Sequence, residues 1–332
     1  MKSIAIITFE GMFDSSLSIT LDILRSANQI ATAQGEGSLG VDFGLYSASG
    51  EPVKTAGGLV INPRSALGDI KKVDVVILPG LGISDGEQLN RVLKQQDANQ
   101  IIHFLRDQHR AGSTILGSCS ASFFLAEAGI FSDSMATTSW WLADEFRRKY
   151  PSVKLQTEKM ITTGKNYLCA GAAMAQADLM MVLVSSLYGT VVARQVANYL
   201  LIDQREFQSQ YIMSGLLSHK YPEIEKAERW IRQHLSGTFS ISDLAAAVGI
   251  GKRTLARRTQ EAMGLSPLQF VQQIRVESAI HLLETTHKSF DVIAFELGYS
   301  DAATLRRLLQ RHTGKSPAHF RLAHTVSSTS QH

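Results

Sequence analysis

Two kinds of apolar patterning run along this chain. The first half alternates short unbroken apolar runs with longer amphipathic stretches. Ile4 to Thr8 is continuous and apolar, as expected of a parallel strand buried on both faces. Val41 to Ala48 alternates, Gly57-Gly58 with Leu59 to Asn62 predicts a small hairpin, and Val73 to Leu78 is a second buried strand ending in Pro79-Gly80. Thr114 to Gly117 is a third strand, cut short by Ser118-Cys119-Ser120. Helical stretches cover Ser16 to Ala33, Asp97 to Arg110, Ala121 to Ala128 and Ala172 to Leu187. Lys154 to Ala170 reads as antiparallel pieces around Thr163-Gly164-Lys165-Asn166. Strands alternating with helices predict a doubly wound α/β domain, its parallel sheet covered on both faces.

Beyond residue 200 the pattern changes. Tyr188 to Ile212 predicts a further helix and then a polar connector, Asp203 to Gln210. Pro222 opens a new helix, Glu223 to Leu235, at the first-turn position proline favours. From Ile241 to Phe320 one pattern is written twice. Gly249 matches Gly298, Thr254-Leu255 matches Thr304-Leu305, Arg257 matches Arg307, Ser266-Pro267 matches Ser316-Pro317 and Phe270 matches Phe320. The offset is 49 residues at the glycines and 50 afterwards, so the second turn is one residue longer. Each copy predicts a short helix, a glycine turn and a second helix, an all-α unit. Leu244, Ala245 and Val248 form the apolar face of one leading helix; Ile293, Ala294 and Leu297 form that of the other. Asp243 and Asp291 complement the positive ends of those helices. The second helices start near Arg253 and Ala302.

Those second helices carry the first candidate chemistry. Arg253 and Arg257 stand four residues apart on one face, with Lys252, Thr254 and Arg258 around them. Arg306, Arg307 and Arg311 are their counterparts. Long donors on the leading half of such a helix suit guanine edges or phosphates in a major groove. Solvated helix charge is the alternative for a single basic helix; two copies, each after a glycine turn, argue against it.

Charge sharpens this division. Met1 to Tyr221 holds 19 Lys and Arg against 20 Asp and Glu, net −1. Pro222 to His332 holds 14 against 10, net +4, and seven of the ten histidines. The basic excess lies with the repeated helices, as nucleic-acid binding requires. Two cysteines, Cys119 and Cys169, make neither a disulfide framework nor a zinc cluster, and no metal or cofactor is expected. MKSIAIITFEG predicts a strand rather than a signal peptide, and no run approaches about 18 apolar residues. The expectation is a cytoplasmic protein without a membrane partner.

The repeated region resembles the AraC/XylS-type DNA-binding domain, two helix-turn-helix units joined by a long helix, here Ile274 to Leu283. GLSPLQF and GKSPAHF carry the resemblance, with RVESAIHLLETT between them. It implies base contacts from Arg253 and Arg257 in the first unit and from Ala303 and Arg307 in the second. Many members have an aromatic where Thr259 and Leu309 stand. Ala302 and Ala303 are short, so the second unit is the weaker base reader and leans on phosphates through Arg306 and Arg311.

The strand–GSCSA–helix junction is the second candidate site. A cysteine on such a turn stands at a helix N-terminus, where the dipole is expected to lower its pKa and favour the thiolate. With Leu78-Pro79-Gly80 and ATTSWW at Ala136 to Trp141, it makes the first two-thirds similar to the class I glutamine amidotransferase-like, flavodoxin-like fold in its PfpI-related branch. Taken with the C-terminal repeats, the chain resembles the GlxA group of AraC-type regulators. Enzymes of this fold place a His after the strand that follows the elbow helix; Ser139 stands there. His103 and His109 are on the preceding helix and off the motif. Ser15-Ser16 replaces the acidic residue expected after the first strand, with Asp14 close by. A thiol without a base is a poor amide hydrolase.

A pocket is nonetheless expected outside the carboxyl ends of the strands. Phe13, Ser16, Gly80, Ser118, Cys119, Ser120, Ser139 and Trp140 would line it. Such a pocket suits a small polar metabolite; by resemblance the effector is nitrogen-containing, an amine, amino acid or betaine, and Phe13 or Trp140 would face a cationic group. The expected organisation is an amidotransferase-like sensing and dimerisation domain over 1–202, a linker over 203–221, a DNA-binding domain over 222–324 and a tail over 325–332. The function expected is that of a ligand-responsive transcription regulator, an activator by family leaning, not an enzyme. Its partners would be double-stranded DNA, a small-molecule effector, a second copy of the chain and, for an activator, RNA polymerase. The alternatives are a cysteine hydrolase that also binds DNA and an N-terminal domain that only dimerises.

Overall fold

The computed structural model describes residues 1–35, 40–83, 85–131, 134–203 and 221–321. The chain divides into two compact units, Met1–Arg205 and Glu206–His332. The expected linker over 203–221 lies outside the described residues except at its two ends, and the tail over 325–332 lies outside them entirely.

In the first unit, β1 (Lys2–Ile7), β2 (Val41–Ser47), β6 (Val75–Leu78) and β7 (Thr114–Ser118) form the parallel centre of a seven-stranded sheet. Outside them lie β5 (Ser65–Ala66) on one edge and β11 (Tyr167–Ala170) with β10 (Ile161–Gly164) on the other. The order is β10-β11-β7-β6-β1-β2-β5, and only β10 runs antiparallel to its neighbour. Successive side chains of a strand point to opposite faces. Every residue from Ile4 to Ile7 and from Val75 to Leu78 is buried, so both faces of the sheet are covered. The unbroken apolar runs encode that directly. The hairpin at Gly57-Gly58 is present as β3 (Val53–Lys54) paired with β4 (Val60–Ile61).

The helices of this unit are α1 (Asp14–Ala33), α2 (Gly86–Leu93), α3 (Gln96–Arg110), α4 (Ala121–Glu127), α5 (Ala143–Lys149) and α6 (Gln176–Leu200). Three sequence expectations need correction. No helix was expected over Gly86–Leu93 or Ala143–Lys149; the Asp85 carboxylate starts the first by accepting from the Glu87 and Gln88 amides. Lys154-Leu155 (β9) pairs parallel with Met135-Ala136 (β8), and only Ile161 to Ala170 is antiparallel. One helix does reach the length and apolarity of a membrane span: Gln176–Leu200, half of whose apolar window is buried, packs along α1. That helix is interrupted where the sequence predicted a new one. Gly189, at φ 86° and ψ 166°, holds a conformation open to glycine alone.

The second unit is helical: α7 (Pro222–Gln233), α8 (Ile241–Ala247), α9 (Lys252–Met263), α10 (Pro267–Thr285), α11 (Phe290–Glu296) and α12 (Ala302–Thr313). The pairs α8–α9 and α11–α12 are the two predicted copies. Gly249 (φ 76°) and Gly298 (φ 77°) make their turns in the left-handed region. Ser240 and Ser289 cap the two leading helices, Ser240 in a reciprocal box with Asp243. The joining helix α10 is longer than Ile274 to Leu283. Ser266 caps it, Gln269 bonds back, and Pro267 occupies the first turn, so Ser-Pro opens the joining helix. From α10, Val276, Ala279 and Leu283 meet Ile293, Ala294, Leu297, Leu305, Leu308 and Leu309 of the second copy.

Candidate functional site

β7 leads into α4 through Cys119, whose φ of 57° is left-handed and strained for a residue with a Cβ. The turn is held from several sides. The Cys119 amide donates to Ala170 O at 2.8 Å. The Leu81 amide donates to Ser120 Oγ at 2.7 Å, bringing the loop after β6 against the elbow. A Cβ at Gly80 would stand 2.8 Å from Cys119 Cβ and 3.0 Å from Ser118 O, so only glycine passes there. The Phe13 amide donates to Gly80 O at 2.9 Å, and Ser16 Oγ donates to Ala173 O at 3.4 Å. Trp140 stands beside Ser139 in the 3₁₀ turn Trp140–Leu142, edge-on to Trp141 with ring centroids 5.4 Å apart.

The predicted pocket residues therefore converge on the carboxyl ends of the strands, and the thiol at their centre is shut in. Cys119 is 1% exposed and Ser118, Ser120 and Ser139 are fully buried. Cys119 Sγ lies 2.8 Å from Ser139 Oγ. Ser122 Oγ donates to Cys119 O at 2.8 Å and shares a 2.7 Å bond with Thr138 Oγ1. Ser122 and Thr138 belong to the site and were missed from sequence; the hydroxyl-rich ATTS run was the available signal. Ser118 Oγ is buried with no hydrogen-bond partner among the described residues.

The expected thiolate is corrected by this geometry. Burial pushes the Cys119 thiol up, outweighing the hydrogen bonds from Ser139 and Ser120 that act the other way. The amides of Ser122 and Phe123 bond back to Cys119 O and Ser120 O, so they are not aimed at the sulfur. Cys169, donating to Thr137 O at 3.0 Å, is pushed up to about 12 by burial. Among the described residues the histidines of this unit do not compensate. His103 Nδ1 bonds Asn99 O and His109 Nε2 bonds Lys165 O, both away from the elbow. Asp14 turns to Thr55 Oγ1 and the Gly57 amide, and the Thr55 hydroxyl holds its carboxyl below the usual range. A serine hydroxyl beside a protonated thiol offers a hydrogen bond but is too weak a base to take its proton.

The second unit presents a different surface. Lys252, Arg253 and Arg257 are exposed on α9, and Ala303, Arg306, Arg307 and Arg311 are exposed on α12. Arg257 pairs with Glu261 one turn on at 2.8 Å. Thr254 and Arg258 are half-buried, and Arg258 lies 5.7 Å from the Tyr221 ring centroid and 3.7 Å from Glu261. Arg306 sits 5.3 Å from the Phe290 ring, and Arg307 donates to Thr304 Oγ1 at 3.2 Å. Among the described residues no group of three His, Cys, Asp or Glu is placed to hold a metal ion.

An α/β unit with a buried elbow, joined to paired helix-turn-helix units bearing exposed cations, defines a DNA-binding transcriptional regulator. The model of the DJ-1/PfpI family matches residues 2–185, and that of a helix-turn-helix domain matches residues 244–323. The chain belongs to the DJ-1/PfpI family, among the regulators that carry an AraC-type helix-turn-helix domain. It is similar to the HTH-type transcriptional regulator CdhR of Pseudomonas aeruginosa, 26% identical over 284 residues, 83% of this chain and 80% of that one. GbdR of the same species is 22% identical over 319 residues, 95% of this chain and 83% of that one. GlxA of Rhizobium meliloti is 25% identical over 224 residues, 65% of this chain and 68% of that one. Among solved structures, an AraC family transcriptional regulator from Pseudomonas putida shares the fold at TM-score 0.51 and 20% identity, covering 60% of this chain and 100% of its own.

Proposed function

We propose that this regulator senses a small polar, nitrogen-containing metabolite through a DJ-1/PfpI domain that performs no catalysis. The observation that carries the reading is the buried Cys119 thiol, facing the Ser139 hydroxyl at 2.8 Å where a hydrolase needs a base. The unpartnered Ser118 hydroxyl is the polar group left for a bound molecule. Residues 1–202 serve sensing and dimerisation and residues 222–324 bind DNA, with the chain acting in the cytoplasm as a homodimer. Each monomer reads two adjacent major-groove segments about one helical turn apart. Arg253 and Arg257 read bases, with Lys252 and Thr254 beside them; in the second unit Ala303 and Arg307 face bases while Arg306 and Arg311 hold phosphates. Arg258, packed on Tyr221, holds α9 in place. As an activator the protein would engage RNA polymerase.

The test is a thermal-shift screen of the full chain against amino acids, polyamines and betaines. Binding to the folded state adds about 2.7 kcal/mol at a hundredfold excess over Kd. A selective hit abolished by Ser118→Val or Trp140→Leu supports the sensor. Turnover of an amide substrate lost in Cys119→Ser would sink the non-catalytic reading. A second reading, a domain that only dimerises, is favoured by the internal pairing of Ser120, Ser122, Thr138 and Ser139, and a blank screen would support it.

A further inference from the structure

We infer that Arg275 is a positioning residue that sets the spacing between the two DNA-reading helices, without itself touching DNA. Arg275 lies on α10, the helix that joins the two copies. Its guanidinium stands 5.3 Å from the ring centroids of both Phe239 and Tyr299, and Nη2 donates to Gly237 O at 3.0 Å. The two rings lie at different copies. Phe239 precedes Ser240, the cap that starts the first unit; Tyr299 follows Gly298, the turn that aims α12. One planar cation thus ties the start of the first unit to the turn of the second.

The surroundings are built for this. Phe239 meets Trp230 edge-on at 4.8 Å, and Trp230 stacks on His234 at 4.1 Å, so the first ring is backed by α7. On the other side, a Cβ at Gly298 would meet Leu235 O at 2.9 Å and both Gly237 O and Arg275 Nη2 at 3.0 Å. The second turn is therefore seated in the segment that precedes the first unit. At Gly249 the same test meets nothing within 4 Å. Where the second copy has Tyr299 the first has Ile250, so the repeat provides this ring once. A guanidinium suits the place because it accepts a ring on its flat face and still donates in its plane. Hydrophobic packing alone would bury the rings without fixing their angle. Two tethered sites gain from simultaneous engagement only when their separation matches the target, so a clamp on that separation acts on specificity.

This rests on the reading that each monomer engages two segments, and the experiment separates the two claims. The probe is a duplex that the full-length wild type selects from a random-sequence pool. Footprinting comes first, and protection of one segment alone would overturn the two-segment reading itself. With two segments protected, one is scrambled, and in a second series they are moved apart in single base-pair steps. Arg275→Gln is expected to cut the intact-over-scrambled affinity ratio by about tenfold and to broaden the spacing optimum, leaving affinity for the scrambled duplex within about twofold. Arg275→Lys, which keeps a cation and a donor, restores part of the spacing preference. Equal weakening on intact and scrambled duplexes, or an unchanged spacing profile, overturns the assignment. If Arg275→Gln fails to fold, Tyr299→Leu removes one ring and is held to the same two readouts.

Discussion

The two helix-turn-helix copies share a plan and differ in how they use it. The first leaves its turn in the open: Gly249 has a left-handed φ and nothing within 4 Å of a Cβ. Its second helix starts on Gly251 with no side-chain cap, followed by Lys252 and Arg253. Cations at the positive end of a helix work against the dipole, and uncapped amides there are ready donors. Both features become favourable against a phosphate. The second copy closes the same positions. Gly298 is enclosed by Leu235 O and Gly237 O, and the Asp301 carboxylate accepts from the Thr304 amide and hydroxyl at the start of α12. Ala302 and Ala303 follow in place of cations. The two copies therefore differ at the turn and at the start of the second helix without a change of fold.

The largest expected effect tests the enclosed turn. Gly298→Ala should destabilise by roughly 3 kcal/mol or more, adding displaced carbonyls to the 1–2 kcal/mol of a left-handed alanine, and Gly249→Ala should cost only the latter. Urea unfolding of the full chain decides; equal losses would remove the packing difference between the copies. Next, Arg257→Ala should weaken specific DNA binding by about 1–3 kcal/mol and relax preference at one base position, with Arg307→Ala losing less. If Arg257→Ala weakens random and selected duplexes equally, Arg257 is a phosphate contact. Ser240→Ala and Ser289→Ala should each cost about 1 kcal/mol of stability, since both copies keep the leading-helix cap.

The smallest effect concerns acid. Asp243 and Asp301 are both held below the usual carboxylate range, Asp243 by the Ser240 amide and hydroxyl and Asp301 by the Thr304 hydroxyl and amide. A carboxyl whose folded pKa is depressed contributes above its unfolded pKa. The contribution is lost as pH falls through the folded value. Asp301→Asn should therefore flatten the fall of stability below about pH 4 while the Asp243 share remains. A profile that Asp301→Asn leaves unchanged would mean that this cap is not coupled to folding.

Much of the molecule was legible in the chain. Ile4 to Ile7 and Val75 to Leu78 read as doubly buried strands because burial on both faces demands an unbroken apolar run. The glycine turns and the elbow were visible because each depends on one residue's own backbone freedom or on the next few side chains. The resemblance to known regulators rested on such local marks as Ser266-Pro267 and Ser316-Pro317. Ser139, standing where the resemblance puts a histidine, was also legible, and the structure places its hydroxyl against the Cys119 thiol.

Other features were decided only by packing. Cys119 stands at a helix start, and the sequence suggested a lowered pKa; full burial reverses the sign, because removing water from a thiolate costs more than nearby hydroxyls return. Arg258 looks like its basic neighbours along the chain and lies on Tyr221, more than thirty positions earlier in the sequence. Arg275 carries no mark of its own along the chain, and the two rings beside it come from residues 239 and 299. Periodicity and turn chemistry act between neighbours in the chain, so the sequence states them. Which distant groups meet, and whether water reaches them, follows only once the helices and strands have packed.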